Sequence, residues 1–522
     1  MRRKICAIAT CLSLVLIGGQ GTHAQQTKSL SQRSYERARQ ILDQAVAASG
    51  DVKSLEALGD ISIKFSAKVV EINQSASPTA PYYVTQANGI RLLDFRGKRS
   101  YQELNTHFLG DIPLRLKEVV TEKDGFTIEL TSNAVFPVAK PALTGSSRAA
   151  QRWFPQYLFQ TVLNRAFTLR WLGEENYEGQ KQQVVSFNDA DGNQLALYFD
   201  QRTHLLTKVE TLGDSAIFGV ATSENIFSNY RRIGGVEIPS RLISRFSGEL
   251  ITDLSYTDVQ FNTHPADSLF EMPTGAELGP ETGGQPSLTV THLAPDLYYV
   301  NHGLSLRGNF CLNNIFFYSS MFVVFKDYVL VIESPLGDRI TQAVIAKIKE
   351  TAPNKPIKYV VPTHYHSDHL GGVRGYIAEG TTVVTTPGNK SLVEKMASTQ
   401  LPFNPDTLSR KPRPPLIETF TDKRVFTDAE HTVEFYNIGG PHADEMVIAY
   451  FPKEKIVFAS DVAGIFAFQP KGQIVQANAA NVDFVKKIER LGLQVETIAS
   501  GHGRIGKMDE LRKSVEQGAA SK

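Results

Sequence analysis

Hydrophobic and polar residues follow two different patterns along the chain. Between residues 25 and 273, short segments of alternating apolar and polar positions follow one amphipathic helical segment. This pattern predicts an α+β domain, in which helices pack against an antiparallel sheet. From residue 288 to residue 522, apolar runs alternate with helical spacing, which is typical of a layered α/β domain. The Gly- and Pro-bearing stretch 274–287 is predicted to be the linker between the two.

The amino-terminal domain is predicted to begin with a helix over residues 35–48, capped by Ser34 and followed by Gly50. The Asp-Gly pair at 191–192 is typical of a hairpin turn between two alternating runs. We expect short strands at 61–65, 184–187, 195–199, 205–211, 242–246 and 250–258. Together these elements predict a bent antiparallel sheet with one or more helices against it.

The carboxy-terminal domain has its own strand and helix signals. Apolar runs at 316–325 and 328–332 flank a Lys-Asp turn and predict a hairpin. Residues 339–350 have helical spacing, and prolines follow them. The next apolar run, 357–361, predicts a buried strand that ends at Pro362.

The first 24 residues have the composition of an export signal. Three basic residues at 2–4 precede an apolar stretch over 5–17, and Thr22-His23-Ala24 offers small residues for cleavage. The apolar stretch is shorter than the ~20 residues that span a bilayer. We therefore expect a cleaved signal peptide at 1–24 and a periplasmic or secreted protein without a membrane anchor. A retained anchor is the alternative.

Charge and cysteine content narrow the classes of partner. Without residues 1–24 the chain has 52 Lys and Arg against 54 Asp and Glu, a net charge of −2. This balance argues against nucleic acid or an anionic membrane surface as a partner. The mature chain keeps only Cys311, so no intramolecular disulfide is possible. Cys311 lies in an apolar stretch and is predicted to be a small core residue.

Candidate metal ligands follow the strand at 357–361 directly. His364, His366, Asp368 and His369 occur within six positions. The two histidines at 364 and 366 alternate as on extended backbone, so both imidazoles can point the same way, and the next two residues lie where the chain turns into a helix. Two adjacent binding centres are therefore within reach, whereas a polar turn that is merely rich in histidine is the alternative.

The stretch 364–369 resembles the metal-binding signature H-x-H-x-D-H of the metallo-β-lactamase superfamily, and the resemblance extends from about residue 288 to residue 516. It implies an αβ/βα sandwich of two mixed sheets with a one- or two-metal site at one edge. His442, Asp461 and His502, each beside a predicted strand, resemble the later motifs of the same superfamily.

The resemblance also implies how the ligands divide. His364, His366 and His442 would hold one metal, and Asp368, His369 and His502 the other. Asp461 would bridge the two. Nitrogen and carboxylate ligands without a thiolate suit two Zn²⁺, with manganese or iron as alternatives.

These residues predict a hydrolase. The expected reaction uses a metal-bridging hydroxide, oriented by Asp368, to cleave an ester-like, thioester, lactone or lactam bond of a small molecule. Asp461 favours the glyoxalase-like and lactonase-like branches, since zinc β-lactamases generally lack a bridging aspartate. Two alternatives remain open: a periplasmic binding or sensor protein with a structural metal, and a mononuclear iron enzyme resembling persulfide dioxygenases.

The amino-terminal domain resembles the half-barrel of periplasmic lipoprotein carriers in its leading helix, its meander and the run 230–239. That resemblance implies a lipophilic ligand, whereas a structural or substrate-positioning domain is the alternative. The aromatic cluster at 153–159 is predicted to be core. The proline-rich stretch 401–415 is either a specificity loop or a solvated connector, and Tyr365 either faces substrate or packs beneath the metal loop.

Overall fold

The computed structural model describes residues 28–520, apart from 51, 109–111, 131–132, 141–142, 144–152, 277, 279–280, 282–286, 303–317 and 467–476. The predicted signal peptide at 1–24 and Cys311 lie outside the described residues. Over the part that is described, no helix combines the length and the apolar character that crossing a bilayer requires.

Thirteen strands of the described chain form one antiparallel sheet. They are β1 Asp60–Val70, β2 Val84–Asp94, β3 Arg99–Phe108, β4 Ile112–Val120, β5 Gly125–Glu129, β6 Ala134–Pro137, β7 Arg170–Tyr177, β8 Gln180–Asn188, β9 Gln194–Asp200, β10 Leu206–Ser215, β11 Gly219–Ile233, β12 Val236–Phe246 and β13 Glu249–Phe261. Their order is β6-β5-β4-β3-β2-β1-β13-β12-β11-β10-β9-β8-β7. Two meanders therefore join where β1 pairs with β13, with Ile61 opposite Phe261.

Helices pack against this sheet, and helix and strand side chains together form a buried core. The helices are α1 Leu30–Ser49, the short α2 Val52–Glu56 and α3 Pro155–Asn164. The apolar face predicted for the first helix packs with α3 and the strands into a single buried cluster that includes Leu42, Phe154, Phe159, Val185, Leu197 and Leu254. Burying each such side chain contributes roughly 1.5–3 kcal/mol. The aromatic cluster at 153–159 contributes to this core, as predicted.

The start of α1 differs from the prediction. Ser29 caps the helix and forms a capping box with Gln32, so the helix begins one turn earlier than expected. The prediction that Ser34 is the cap is wrong. Its hydroxyl instead accepts from Trp171 N and donates to Trp171 O on β7, so it joins the helix to the sheet.

The carboxy-terminal part contains two mixed sheets. The first has the order β14-β15-β16-β17-β18-β19-β20 and the second β21-β22-β23-β24-β25-β26. The strands of the first are β14 Thr289–Ala294, β15 Leu297–Asn301, β16 Ser319–Val324, β17 Val329–Ile332, β18 Ile357–Val361, β19 Thr382–Thr385 and β20 Leu416–Thr419. Those of the second are β21 Lys423–Thr427, β22 Thr432–Asn437, β23 Val447–Phe451, β24 Ile456–Ser460, β25 Thr497–Ser500 and β26 Gly506–Lys507.

Helices pack against these sheets. They are α4 Asp338–Thr351, α5 Ser367–Leu370, α6 Val373–Glu379, α7 Pro387–Ser398, α8 Thr407–Arg410, α9 Ala479–Arg490 and α10 Met508–Ala520. One buried cluster lies between the sheets, with Leu330 from the first and Phe458 from the second. Separate clusters join the first sheet to α4, α6 and α7, and the second to α9 and α10. The result is a sandwich of two mixed sheets with helices packed on each, as the resemblance implied.

Several local predictions are confirmed. The Asp-Gly turn at 191–192 joins the antiparallel pair β8 and β9, and the Lys-Asp turn joins β16 and β17. The strand before the candidate ligands is β18, which ends at Val361 as expected. The large sheet ends at Phe261 and β14 begins at Thr289, whereas the division into domains at 273 and 288 stays a prediction. The strong bend of the amino-terminal sheet stays a prediction.

Candidate metal centre

The loop after β18 carries the first four candidate ligands into the interior. His364, His366 and His369 are almost fully buried, and Asp368 is 9% exposed. The loop turns directly into α5, which carries Asp368 and His369. At the C-terminal end of α5, a Cβ atom on Gly371 would lie 2.2 Å from Ser367 O. Only glycine fits so close an approach, which allows α6 to begin two residues later.

One group of candidate ligands consists of three imidazoles and a carboxylate. His364 Nε2 lies 2.9 Å from His366 Nδ1 and 3.1 Å from His442 Nε2. Asp461 Oδ2 lies 3.2 Å from His442 Nε2. Two nitrogens bound to one tetrahedral zinc lie ~3.3 Å apart, given Zn–N distances of ~2.0–2.1 Å. The four side chains offer ligand atoms that all lie within 4.8 Å of one another, so they can hold a metal ion.

A second group lies beside the first. Asp461 Oδ1 lies 2.8 Å from His369 Nε2 and 3.1 Å from His502 Nε2. Asp368 Oδ2 lies 3.4 Å and 3.5 Å from the same two nitrogens. The ligand atoms of Asp368, His369, Asp461 and His502 also all lie within 4.8 Å of one another.

The carboxylate of Asp461 belongs to both groups, because each of its oxygens faces a different set of imidazoles. The structure thus brings together all seven residues singled out from the sequence, in the division that the resemblance implied. They are His364, His366, Asp368, His369, His442, Asp461 and His502. Their role as ligands stays a prediction.

The imidazoles of His364 and His366, in the first group, are neutral. Burial, together with the neighbouring imidazoles of His369, His366 and His442, lowers the pKa of His364 well below its usual value. Burial and the adjacent His442 lower the pKa of His366 to about 3. Neutral imidazole is the form that binds a metal, so these two histidines need no deprotonation.

In the second group the pKa of each histidine is raised and not lowered. Burial alone would lower the pKa of His369, but the carboxylates of Asp461, Asp368 and Glu333 outweigh it and raise that pKa well above its usual value. Burial is likewise outweighed at His502, where Asp461 raises the pKa to about 9. Carboxylates therefore dominate the electrostatics of this half of the site, which favours a positive charge there.

The imidazoles of the second group in turn lower the pKa of the two aspartates. Burial would raise the pKa of both Asp368 and Asp461, but the nearby imidazole of His369 outweighs it and holds each pKa well below its usual value. Both carboxylates are therefore ionised. Buried ionised groups require a partner of opposite charge, which is what this half of the site is built to receive.

Sequence reasoning missed Glu333, which stands directly after β17. Its side chain is fully buried, and Oε1 accepts hydrogen bonds from Thr363 Oγ1 at 2.6 Å and Ser460 Oγ at 2.7 Å. The same oxygen lies 3.0 Å from His369 Nδ1. The usable signal is an acidic residue directly after a wholly apolar strand.

Glu333 and Thr363 determine which nitrogens face the centre. The contact of Glu333 with His369 Nδ1 leaves Nε2 of that ring toward Asp461, and Thr363 Oγ1 lies 2.9 Å from His364 Nδ1. Partners of this kind orient metal-binding imidazoles and set their tautomer. The backbone of Glu333 has a φ of 79°, which a non-glycine residue adopts only where its surroundings impose it.

Tyr365 contacts the loop between β1 and β2 of the amino-terminal part. It is 5% exposed, and its hydroxyl donates to Ser75 O at 2.6 Å and to Ser77 O at 2.8 Å. The alternative in which Tyr365 packs, rather than facing substrate, therefore fits its surroundings.

The stretch 401–415 is anchored on the outer helices. Asp406 accepts from the buried Arg374 of α6, and Thr407 N donates to Asp338 at 2.8 Å. The stretch also contains α8 and is not wholly irregular. Whether the stretch 401–415 acts as a specificity loop over the site stays a prediction.

Comparison with known proteins agrees with this geometry. The model of the metallo-beta-lactamase superfamily matches residues 314–502. A "Metallo-beta-lactamase type 2" of Bacteroides fragilis is 23% identical over 140 residues, which are 27% of this chain, and the chain spans about half the length of that relative.

Solved structures of low identity also match. A metallo-beta-lactamase from Pontibacter korlensis is 22% identical, covering 44% of this chain and 98% of that one with a TM-score of 0.33. The DIM-1 metallo-beta-lactamase exposed to ceftazidime is 16% identical, covering 46% and 100% with a TM-score of 0.35. The matched residues 314–502 include both groups of candidate ligands, and it is this region that belongs to the metallo-β-lactamase superfamily.

Proposed function

We propose that this protein is an exported hydrolase that holds two zinc ions and cleaves an ester-like, thioester, lactone or lactam bond of a small molecule. The observation that carries the proposal is the position of Asp461, whose two oxygens face two separate groups of imidazoles. A carboxylate so shared is suited to hold two cations side by side.

The residues present fit a pair of zinc ions. His364, His366 and His442 would hold one, Asp368, His369 and His502 the other, with Asp461 shared. The donors of both groups are imidazole nitrogen and carboxylate oxygen, which suit zinc and also accept manganese or iron. When bound, zinc at such a site brings the pKa of a coordinated water toward neutrality and polarises a substrate carbonyl.

The chain's own side chains prepare the centre for this chemistry. The neutral rings of His364 and His366 present free lone pairs at physiological pH. Asp368 is ionised, and we assign it the role of orienting the attacking water by accepting its hydrogen bond. Burial of the surrounding loop excludes bulk water and strengthens these electrostatic interactions.

The shared aspartate favours thioester and lactone substrates, because it resembles the ligand set of the glyoxalase-like and lactonase-like branches of the superfamily. Similarity to the Bacteroides fragilis metallo-beta-lactamase keeps a β-lactam among the substrates to be tested. Near-neutral composition supports a small molecule over nucleic acid. Export rests on residues 1–24 alone, and a mature protein that begins at Gln25 would support it.

The test is a panel of chromogenic lactone, thioester, phosphodiester and cephalosporin substrates, run on the purified mature protein. We expect turnover of at least one, reduced to the background rate in His366→Ala and unchanged in His107→Ala, an exposed control histidine. Unchanged turnover in His366→Ala would reject the proposed role. A content of one iron per chain, together with oxygen consumption when a persulfide is the substrate, would favour the dioxygenase alternative.

A further inference from the structure

The loop between β1 and β2, residues 71–83, extends from the amino-terminal sheet onto the metal centre. It bridges both loops that carry the ligands of the first group. Ala76 O accepts from Asp444 N at 2.8 Å, and Tyr83 Oη donates to Pro441 O at 2.8 Å, on either side of His442. On the other loop, Tyr365 donates to Ser75 O and Ser77 O. The 71–83 loop is therefore in contact with both sources of imidazole.

Gln74 reaches one of the candidate ligands. Its Nε2 donates to Asp368 Oδ1 at 2.8 Å, while Oδ2 of the same carboxylate faces His369 and His502. The amide thus occupies one oxygen of the carboxylate and leaves the other toward the second group. A carboxylate held in this way has a single orientation available to a metal.

The backbone of Ser75 acts on a second ligand. Ser75 O lies 2.8 Å from His366 Nε2, so that nitrogen is the one that carries the proton. Nδ1 of the same ring is left with its lone pair directed toward His364 Nε2, 2.9 Å away. The carbonyl therefore selects the tautomer that the first group requires.

The 71–83 loop is itself held in shape before it meets the centre. Ser75 Oγ donates to Glu71 O at 2.7 Å and accepts from Tyr83 N at 2.7 Å. Glu71 N donates to Tyr83 O at 2.9 Å and closes the base of the loop. Ser75 is 1% exposed. These bonds pre-organise the loop, so its groups contact the ligands without a further ordering cost.

We propose that the 71–83 loop is part of the metal centre, with Gln74 as a positioning residue for Asp368 and the Ser75 carbonyl as the group that fixes the tautomer of His366. The inference rests on the metal centre of the proposed function. It gives the amino-terminal domain a role in the chemistry of the carboxy-terminal one: metal binding in residues 364–502 depends on a loop some 290 residues earlier in the chain.

The experiment compares the full-length protein with Gln74→Leu, which removes the amide but keeps a similar volume. Gln86→Leu, an exposed glutamine on β2, is the matched control. Each protein is stripped of metal and titrated with Zn²⁺ against a chromogenic chelator, and with Co²⁺ while its visible spectrum is recorded. Melting temperatures of the metal-free proteins report whether the fold is retained.

We expect Gln74→Leu to bind one of two zinc equivalents 10–100-fold more weakly, as is typical when a partner of a metal ligand is lost. The other equivalent, the control variant and the metal-free melting temperature stay close to those of the natural protein. The cobalt spectrum changes for one equivalent only, which a general loss of stability would not produce.

The inference would be overturned if Gln74→Leu bound both zinc equivalents as tightly as the natural protein does. It would also be overturned if the variant lost affinity equally for both equivalents. If Gln74→Leu fails to fold, the near-isosteric Gln74→Glu replaces it, and the added carboxylate beside Asp368 is expected to change the affinity of that same equivalent. Fewer than two equivalents in the natural protein would instead overturn the proposed function, and the inference with it.

Discussion

Oε1 of Glu333 lies 3.0 Å from Nδ1 of His369, and both side chains are buried. The contact joins the end of β17 to the ligand loop that follows β18, its parallel neighbour in the sheet. A buried carboxylate on the far nitrogen makes an imidazole a stronger ligand and fixes the direction in which it binds. The metal centre is thus supported by a residue that is in neither group of candidate ligands.

Glu333→Gln tests this support. The substitution keeps the size of the side chain but removes the charge that acts on His369. We expect metal affinity, measured by chelator competition, to fall about 10–100-fold at one equivalent. Glu430→Gln, on an exposed turn, serves as the control and keeps the natural affinity. An unchanged affinity in Glu333→Gln would show that the contact is structural only.

Tyr365→Phe tests the contact between the 71–83 loop and the ligand loop. The substitution removes the hydroxyl that donates to Ser75 O and Ser77 O, at a cost of about 1–3 kcal/mol for the carbonyls left without it. We expect faster amide hydrogen exchange in residues 71–83 and no change in β7 to β12. Tyr359→Phe is the control, since its hydroxyl has no hydrogen bond among the described residues. Equal exchange in both variants would contradict the assignment.

Glu71 makes stability depend on pH. Burial raises the pKa of its carboxyl from 4.5 to about 7, and Oε1 has no hydrogen-bond partner in the described part of the chain. Because the folded state holds the proton more tightly, stability falls as pH rises from 4.5 to about 7, by at most about 3 kcal/mol. We expect Glu71→Gln to melt at a higher temperature than the natural protein at pH 8, with the difference vanishing near pH 4.5. A lower melting temperature at pH 8 would contradict this.

Asp406→Ala tests the stretch 401–415. Arg374 is 3% exposed, and losing its carboxylate partner leaves a buried charge uncompensated at a cost of about 3–5 kcal/mol. We expect limited proteolysis to cleave 401–415 faster while metal content is unchanged. A changed KM on the best substrate would favour the specificity loop over the connector. Asp422→Ala, an exposed substitution, provides the baseline.

Much of the fold and the core of the site followed from local sequence signals. The ligands from His364 to His369 are adjacent in sequence and follow an apolar strand, so period and spacing alone placed them on one loop. His442, Asp461 and His502 carried weaker signals, and it was their order along the chain that joined them to the others.

The contacts that sequence did not predict are long-range ones. Gln74 meets Asp368 across 294 positions, and the carbonyl of Ser75 has no side-chain signature at all. Ser34 was misassigned for a related reason. A serine at a helix start resembles a cap, and its actual partner, the backbone of Trp171, becomes visible only once β7 packs on α1.

A pair of metal ions requires the shared carboxylate of Asp461, and metal content tests this requirement directly. Full-length protein and Asp461→Ala would be loaded with zinc, freed of excess metal and measured by elemental mass spectrometry. We predict two zinc ions per chain in the natural protein and one or none in Asp461→Ala. A natural protein that holds only one ion under saturating zinc, or an Asp461→Ala variant that still holds two, would contradict the account.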